Sequence, residues 1–211
     1  MYEEKISARS LEELRGRISR SLSAERFAHT EGVAQTAAKM AFLYTPDAAH
    51  EIEAAAYLHD ITKEYSLEKQ LKICSEFGII PRDDEAGVPA VLHAITAASI
   101  IPVEYPEFAT ETVISSVRWH TTGRAGMSLP EKIIFLADYI EEGRKYPDCI
   151  AAREFFNSVD LSALDEHARL AHLDSAILMA IDATLNHLRR KGGLINSDTL
   201  AARNYLLERR V

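Results

Sequence analysis

Cysteine is nearly absent from this 211-residue chain: Cys74 and Cys149 are its whole complement. They lie far apart and lack Cys-x-x-Cys spacing, so neither a disulfide framework nor a zinc ribbon is indicated, and a cytoplasmic setting is the default expectation. Long apolar runs are also lacking. No segment approaches the roughly 18–20 residues of a membrane span, and the first five residues carry no basic stretch leading into an apolar one. Neither a membrane partner nor export is therefore expected. Positive charge is in short supply, with 24 Lys and Arg against 32 Asp and Glu and a formal net charge of −8. That balance argues against a nucleic-acid partner, because neutralising a phosphate backbone needs a concentrated positive surface. Small anions remain open wherever a few cations converge. Sustained Val/Ile/Thr alternation, internal repeats and low-complexity tracts are missing as well, which removes the usual signs of a sheet or a solenoid.

What is present is helical periodicity in a chain that is 47% hydrophobic, enough to bury a substantial core. The expected fold class is all-α, a helical bundle. Ser10 and Glu13 form a capping-box pattern that predicts a first helix starting at Ser10. A second is predicted from Ser23 to Leu43, and a third opens at Pro46-Asp47 and runs to His59-Asp60. Ser66 to Phe77 reads as a helix stopped by Gly78, with 81–87 as loop. Pro89 opens the helix of His93 and Pro102 is expected to end it. Further helices are predicted from Glu107 to His120, from Ser128 to about Gly143, from Ile150 to Asn157, from Leu161 to Lys191, and after Ser197-Asp198. This divides the chain into an N-terminal helix (1–22), a core of candidate ligand-bearing helices (23–145), and C-terminal helices (146–211) packing on the same domain. The long C-terminal helices offer a face for a homodimer.

The dipeptide His59-Asp60 is the most informative element. Imidazoles and carboxylates are the side chains that hold divalent iron, manganese, zinc, nickel or cobalt. Consecutive helical residues point about 100° apart and so rarely serve one ion in the same way. Two ions resolve this: His59 is a terminal ligand to one, with His29 and Asp138, while the two oxygens of Asp60 bridge to a second held by His93 and His120. Arg26, one turn before His29, and Lys63, one turn after His59-Asp60, are cations an anionic substrate would use, as are Arg124 and Arg144. Taken singly, each residue has a plainer reading. His93 lies among apolar neighbours and reads as a core histidine, His120 as a helix-end histidine interacting with the macrodipole, Lys63 as a solvated lysine, and Asp138 as the partner of a buried ion pair with Arg144. His50, His167, His172 and His187 read as surface residues.

The ordered set Arg26-x-x-His29, Leu58-His59-Asp60-Ile61-Thr62-Lys63, His93, His120-Thr121-Thr122-Gly123-Arg124 and Leu136-Ala137-Asp138-Tyr139-Ile140-Glu141 resembles the HD-domain metal-dependent phosphohydrolases. Within them it is similar to the YqeK-type symmetrical bis(5'-nucleosyl)-tetraphosphatases of bacteria, from about Leu22 to Arg144. The resemblance implies a helical HD fold, a divalent metal pair expected to contain iron, and cleavage of diadenosine tetraphosphate into two nucleoside diphosphates. It further implies His29, His59, Asp60, His93, His120 and Asp138 as metal ligands, with His59, Asp60 and Lys63 at the chemistry. Arg26, Lys63, Thr121, Thr122, Arg124, Tyr139 and Arg144 become candidate contacts to a small nucleotide substrate. Glu141-Glu142-Gly143-Arg144 departs from the Glu-Pro expected there. Two other readings stand beside this one: a different HD phosphohydrolase acting on nucleoside monophosphates or deoxynucleoside triphosphates, and a non-catalytic nucleotide-binding sensor. No Gly-Tyr-Pro segment follows that would suggest a cyclic-dinucleotide phosphodiesterase.

Overall fold

The computed structural model describes residues 6–209, and every regular element among them is helical, in agreement with the all-α expectation. The α-helices are α1 (Ala8–Ser21), α2 (Ala24–Tyr44), α3 (Ala49–Leu58), α4 (Leu67–Glu76), α5 (Pro89–Glu104), α6 (Glu111–Trp119), α7 (Leu129–Ile140), α8 (Pro147–Phe156), α9 (Glu166–Lys191) and α10 (Ser197–Glu208). Local chemistry sets several of these ends. Ser23, Ser66 and Ser128 each accept a backbone N–H from the first turn of the helix they cap, and Ser128 with Glu131 completes a reciprocal capping box. Gly78 takes the left-handed conformation (φ 66°) just past α4, where a Cβ would be strained.

α3 is the hub, packing against α1, α2, α6 and α7. Ala54, Ala55 and Ala56 are all fully buried in it, and three small side chains in a row let neighbours approach on every face. α5 is apolar all round, with Leu92, Ala97 and Ile101 fully buried, as a helix enclosed by its neighbours should be. α9 packs on α7, α8 and α10, and one continuous core runs from Ile6 to Leu206. The result is that α2, α5 and the C-terminal ends of α3, α6 and α7 meet in one place.

Several predicted boundaries are corrected. α1 begins earlier, because Ser7 and not Ser10 is the cap, with Ser7 Oγ accepting the N–H of Ser10. The residues of the predicted N-terminal helix segment before Ile6 lie outside the described residues. Pro102 does not end α5: the Tyr105 N–H still reaches the Ile101 carbonyl at 2.9 Å, and burial of Tyr105 and Phe108 holds the last turn closed. Burial here outweighs the loss of one proline N–H. The predicted Glu107 start gives way to a 3-10 turn over Pro106–Phe108, since Thr110 caps α6 through the N–H of Val113. Likewise Asp165 caps α9 and separates it from a 3-10 turn at Leu161–Ala163. α7 ends at Ile140 rather than near Gly143, α8 starts at Pro147, and a 3-10 turn over Pro46–Ala48 precedes α3. His172 is partly buried rather than a free surface residue: its ring stacks on Phe155 and Phe156 and its Nε2 meets the Phe156 carbonyl at 3.1 Å.

Candidate metal centre

His59 and His120 occupy equivalent places, each directly following the last residue of a helix, α3 and α6 respectively. A helix end leaves carbonyls without intrahelical donors, and each imidazole uses one. His59 Nδ1 lies 2.6 Å from the Ala56 carbonyl and His120 Nδ1 2.7 Å from that of Val117. A carbonyl only accepts, so Nδ1 donates, and in the neutral ring Nε2 keeps its lone pair. His29, on α2, is fixed by the same logic: its Nδ1 donates to Glu141 Oε1 at 3.1 Å. Metal-binding histidines are oriented in this manner, through the second ring nitrogen.

The free nitrogens converge on two carboxylates. His29 Nε2 lies 3.0 Å from Asp138 Oδ1, on the last turn of α7, and 3.8 Å from Asp60 Oδ2. His59 Nε2 is 3.4 Å from the same Asp60 oxygen. The other oxygen, Asp60 Oδ1, is 3.1 Å from His93 Nε2 and 3.7 Å from His120 Nε2. Asp60 therefore turns one oxygen to His29 and His59 and the other to His93 and His120. His29, His59 and Asp138 can each offer a ligand atom within 4.8 Å of the others, and so can His59, Asp60 and His120. The donor set fits a divalent cation: His29 Nε2, His59 Nε2 and Asp60 Oδ1 are buried without a hydrogen-bond partner, and lone pairs face carboxylate oxygens, an arrangement that repels itself unless positive charge joins it.

The protonation equilibria express the same crowding. Burial raises the Asp60 carboxyl, but His59, His120 and His93 outweigh it and hold the group well below the usual carboxylate range. Asp138 is likewise pushed up by burial and further down by Arg144 and His29. Burial lowers His93 to about 4 and also lowers His120. For His59 burial acts downward, but the adjoining Asp60 carboxylate prevails and the ring is raised above its ordinary 6.5.

Four of the candidate substrate contacts border this centre. Arg26 Nη1 donates to Asp60 Oδ2 at 2.9 Å, and Arg144 forms an ion pair with Asp138 while its Nε donates to the Asp138 carbonyl at 2.9 Å. Lys63 Nζ lies 3.3 Å from His93 Nε2 and 3.9 Å from Asp60 Oδ1. Thr121 Oγ1 is 3.0 Å from His120 Nε2 and 3.3 Å from His93 Nε2. Three others are engaged elsewhere. Thr122 is buried and donates to the Gly123 carbonyl, Arg124 spends Nε and Nη2 on Glu131, and Tyr139 is partly buried beside Thr184 and Cys149, on α9 and α8.

Glu141 is the residue whose role the sequence does not announce. Its carboxylate is 3% exposed and binds both His29 Nδ1 and the Gly143 N–H. Two glycines make the space: a Cβ on Gly32 would sit 2.5 Å from Glu141 Oε2, and one on Gly143 2.8 Å from it. The available signal was Gly32 itself, three residues after His29 inside a long helix, where glycine costs about 1 kcal/mol relative to alanine. Thr62 was also missed. Buried, it donates to the His93 carbonyl at 2.8 Å and ties the turn after α3 to α5.

A family model described as HD domain matches residues 26–143. A symmetrical bis(5'-nucleosyl)-tetraphosphatase of Halalkalibacterium halodurans is 34% identical over 186 residues, covering 88% of this chain and 91% of the relative. The Bacillus subtilis protein of the same name is 30% identical over 192 residues, 90% of this chain and 94% of its own. A Clostridium acetobutylicum crystal structure, described as a predicted HD superfamily hydrolase involved in NAD metabolism, superposes with a TM-score of 0.80 at 31% identity, covering 94% of this chain and 97% of that one.

Proposed function

The chain belongs to the HD-domain family and, within it, to the symmetrical bis(5'-nucleosyl)-tetraphosphatases, and from that premise we propose that it is a metal-dependent hydrolase that cleaves diadenosine tetraphosphate into two ADP. The observation that carries the reading is Asp60, whose two oxygens face two separate histidine pairs. His29, His59 and Asp138 would hold one divalent cation, His93 and His120 the other, and Asp60 would join them. Iron is our expected metal, with manganese, nickel, cobalt and zinc as alternatives. Such a pair polarises phosphoryl oxygens and lowers the pKa of water, so that a nucleophile forms at neutral pH.

The protein's own part is to orient and to neutralise. Burial of His59, His93 and His120 fixes their rings before substrate arrives, so no reorganisation accompanies the reaction. Lys63, with a side chain 30% exposed, sets an ammonium beside the Asp60 oxygen that faces His93, where charge on a transferring phosphoryl group needs a counter-charge. Thr121 adds a hydroxyl on the same side. Arg26 and Arg144, bound to Asp60 and Asp138, supply positive charge on the opposite side. Attack at one of the two central phosphorus atoms expels a nucleoside diphosphate and leaves a second one.

Chromatography of the products of the metal-loaded protein tests this. ADP alone from diadenosine tetraphosphate supports the proposal. Inorganic phosphate or triphosphate released from mononucleotides, without dinucleotide turnover, would favour another HD phosphohydrolase. Thermal stabilisation by nucleotide without any turnover would favour a sensor.

A further inference from the structure

The last carbonyls of a helix find no donor within it, and basic side chains are well suited to take them. At the C-terminal end of α7, the helix of Asp138, two arginines do so. Arg144 Nε donates to the Asp138 carbonyl, and Arg153, from α8, gathers three more. Its Nε donates to the Ile140 carbonyl at 2.6 Å, and its Nη2 to the carbonyl of Glu141 and, at 2.7 Å, to that of Arg144. The side chain is 13% exposed, and Cys149, Ala152 and Phe156 anchor its helix in the core. An ordinary surface ion pair does not account for it: Glu142, the carboxylate beside it, is 83% exposed and lies 3.9 Å from Nη1, beyond hydrogen-bond reach.

What this guanidinium holds gives it a consequence for the centre. The turn from Ile140 to Arg144 contains Glu141, whose carboxylate accepts from His29 Nδ1, and Arg144, which pairs with Asp138. His29 Nε2 and Asp138 Oδ1 are themselves 3.0 Å apart, so both ends of the turn act on one pair of candidate ligands. Left alone, the turn would be loose. Glu141 has already left the helical conformation (φ −57°, ψ 151°), and Gly143 brings the conformational freedom of glycine. Three hydrogen bonds from one planar, pre-organised fork remove that freedom.

We propose that Arg153 is a positioning residue of the metal centre: by holding the carbonyls of Ile140, Glu141 and Arg144 it fixes the turn that presents Glu141 to His29 and Arg144 to Asp138, and so raises the affinity for the cation those ligands would hold. This assignment rests on the hydrolase reading above. The three hydrogen bonds of Arg153 all go to backbone carbonyls, so its influence on a cation passes through the side chains that the turn carries, Glu141 first among them.

The test is a double-mutant cycle on the full chain, read as iron(II) affinity by anaerobic competition with a chelator of known affinity. Arg153→Met removes the fork and lowers the affinity about tenfold, a loss typical of a ligating histidine that is no longer held in orientation. In a Glu141→Ala background the same change costs less than about twofold, because the group it positions is already gone. Arg153→Lys keeps the stem and the charge but has one nitrogen in place of the fork; it loses less than Arg153→Met, with the same dependence on Glu141, and it carries the cycle should the methionine protein not fold. A folded Arg153→Met protein with parental iron affinity overturns the proposal, as does an equal loss in both backgrounds, which is what a role in folding alone would give. Failure of the hydrolase reading is separately visible, as a parent protein that takes up no divalent cation or does not turn over the dinucleotide.

Discussion

Replacing Gly32 by alanine sets two effects of known sign against each other. In the interior of α2 the change should stabilise by up to about 1 kcal/mol, because alanine has the higher helix propensity. The new Cβ, however, would lie 2.5 Å from Glu141 Oε2 and 3.2 Å from Glu141 Cδ. A carboxylate at the end of a flexible side chain could ordinarily step aside. This one is 3% exposed, bound to His29 Nδ1 and the Gly143 N–H, and confronted on the Gly143 side by a second close approach. Displacing it strips a largely buried imidazole N–H of its acceptor, at a cost of roughly 1–3 kcal/mol, which exceeds the propensity gain. The consequence for function is larger than for folding. Loss of the group that orients a ligating histidine typically lowers metal affinity about 10- to 100-fold. Competition with a chelator of known affinity, read as metal content by elemental analysis, should show that loss in Gly32→Ala and in Glu141→Ala alike. Glu141→Gln, whose amide oxygen still accepts from His29 Nδ1, should lose less. A Gly32→Ala protein that melts higher and binds metal as the parent does would refute the reasoning.

Other outcomes follow from the same geometry. Asp60→Ala removes both oxygens that link the two histidine groups, so metal content and turnover should fall together; full activity with metal bound would rule out a bridging role. His59, raised above 6.5 by Asp60, must give up a proton when a cation binds, whereas His93, neutral down to about 4, has none to give. Apparent metal affinity should therefore rise with pH at a slope of about one proton while the pH lies below the raised pKa of His59 and level off above it, measurable by chelator competition; a flat profile below 6.5 would contradict it. In the metal-free protein the same shifts act on stability with opposite signs. The His59 contribution is present below 6.5 and lost as pH rises through its folded pKa, while the His93 contribution is lost as pH falls from 6.5 toward 4. Ser128→Ala should cost about 1 kcal/mol by breaking the α7 capping box, lowering the melting temperature by roughly 2–4 °C without changing the products.

The residues of the centre were legible because each sits in a short, local pattern: a His-Asp pair closing an apolar helix, a histidine followed by Thr121-Thr122, an aspartate inside an apolar stretch. Their grouping also followed from a local fact, since one carboxylate with two oxygens next to a histidine is suited to face two ways. Glu141 was not legible in this manner. Its partner His29 is 112 residues away, and only the packing of α2 against α7 brings the two together. Tyr139 shows the converse: it adjoins Asp138 in sequence, but a helix turns consecutive side chains apart, and its side chain lies beside Thr184 and Cys149. Helix ends governed by a capping side chain, such as those at Ser23 and Ser128, were found, whereas those decided by tertiary burial, such as the continuation of α5 past Pro102, were not.

The most direct measurement is a time course of diadenosine tetraphosphate incubated with protein of known metal content, with the nucleotides resolved by chromatography and a chelated sample run beside it. ADP should accumulate as the sole product at two molecules per molecule of substrate consumed, and the chelated sample should be inert. AMP and ATP in equal amounts, or undiminished turnover after the metal is removed, would contradict symmetrical metal-dependent cleavage at the His59-Asp60 centre.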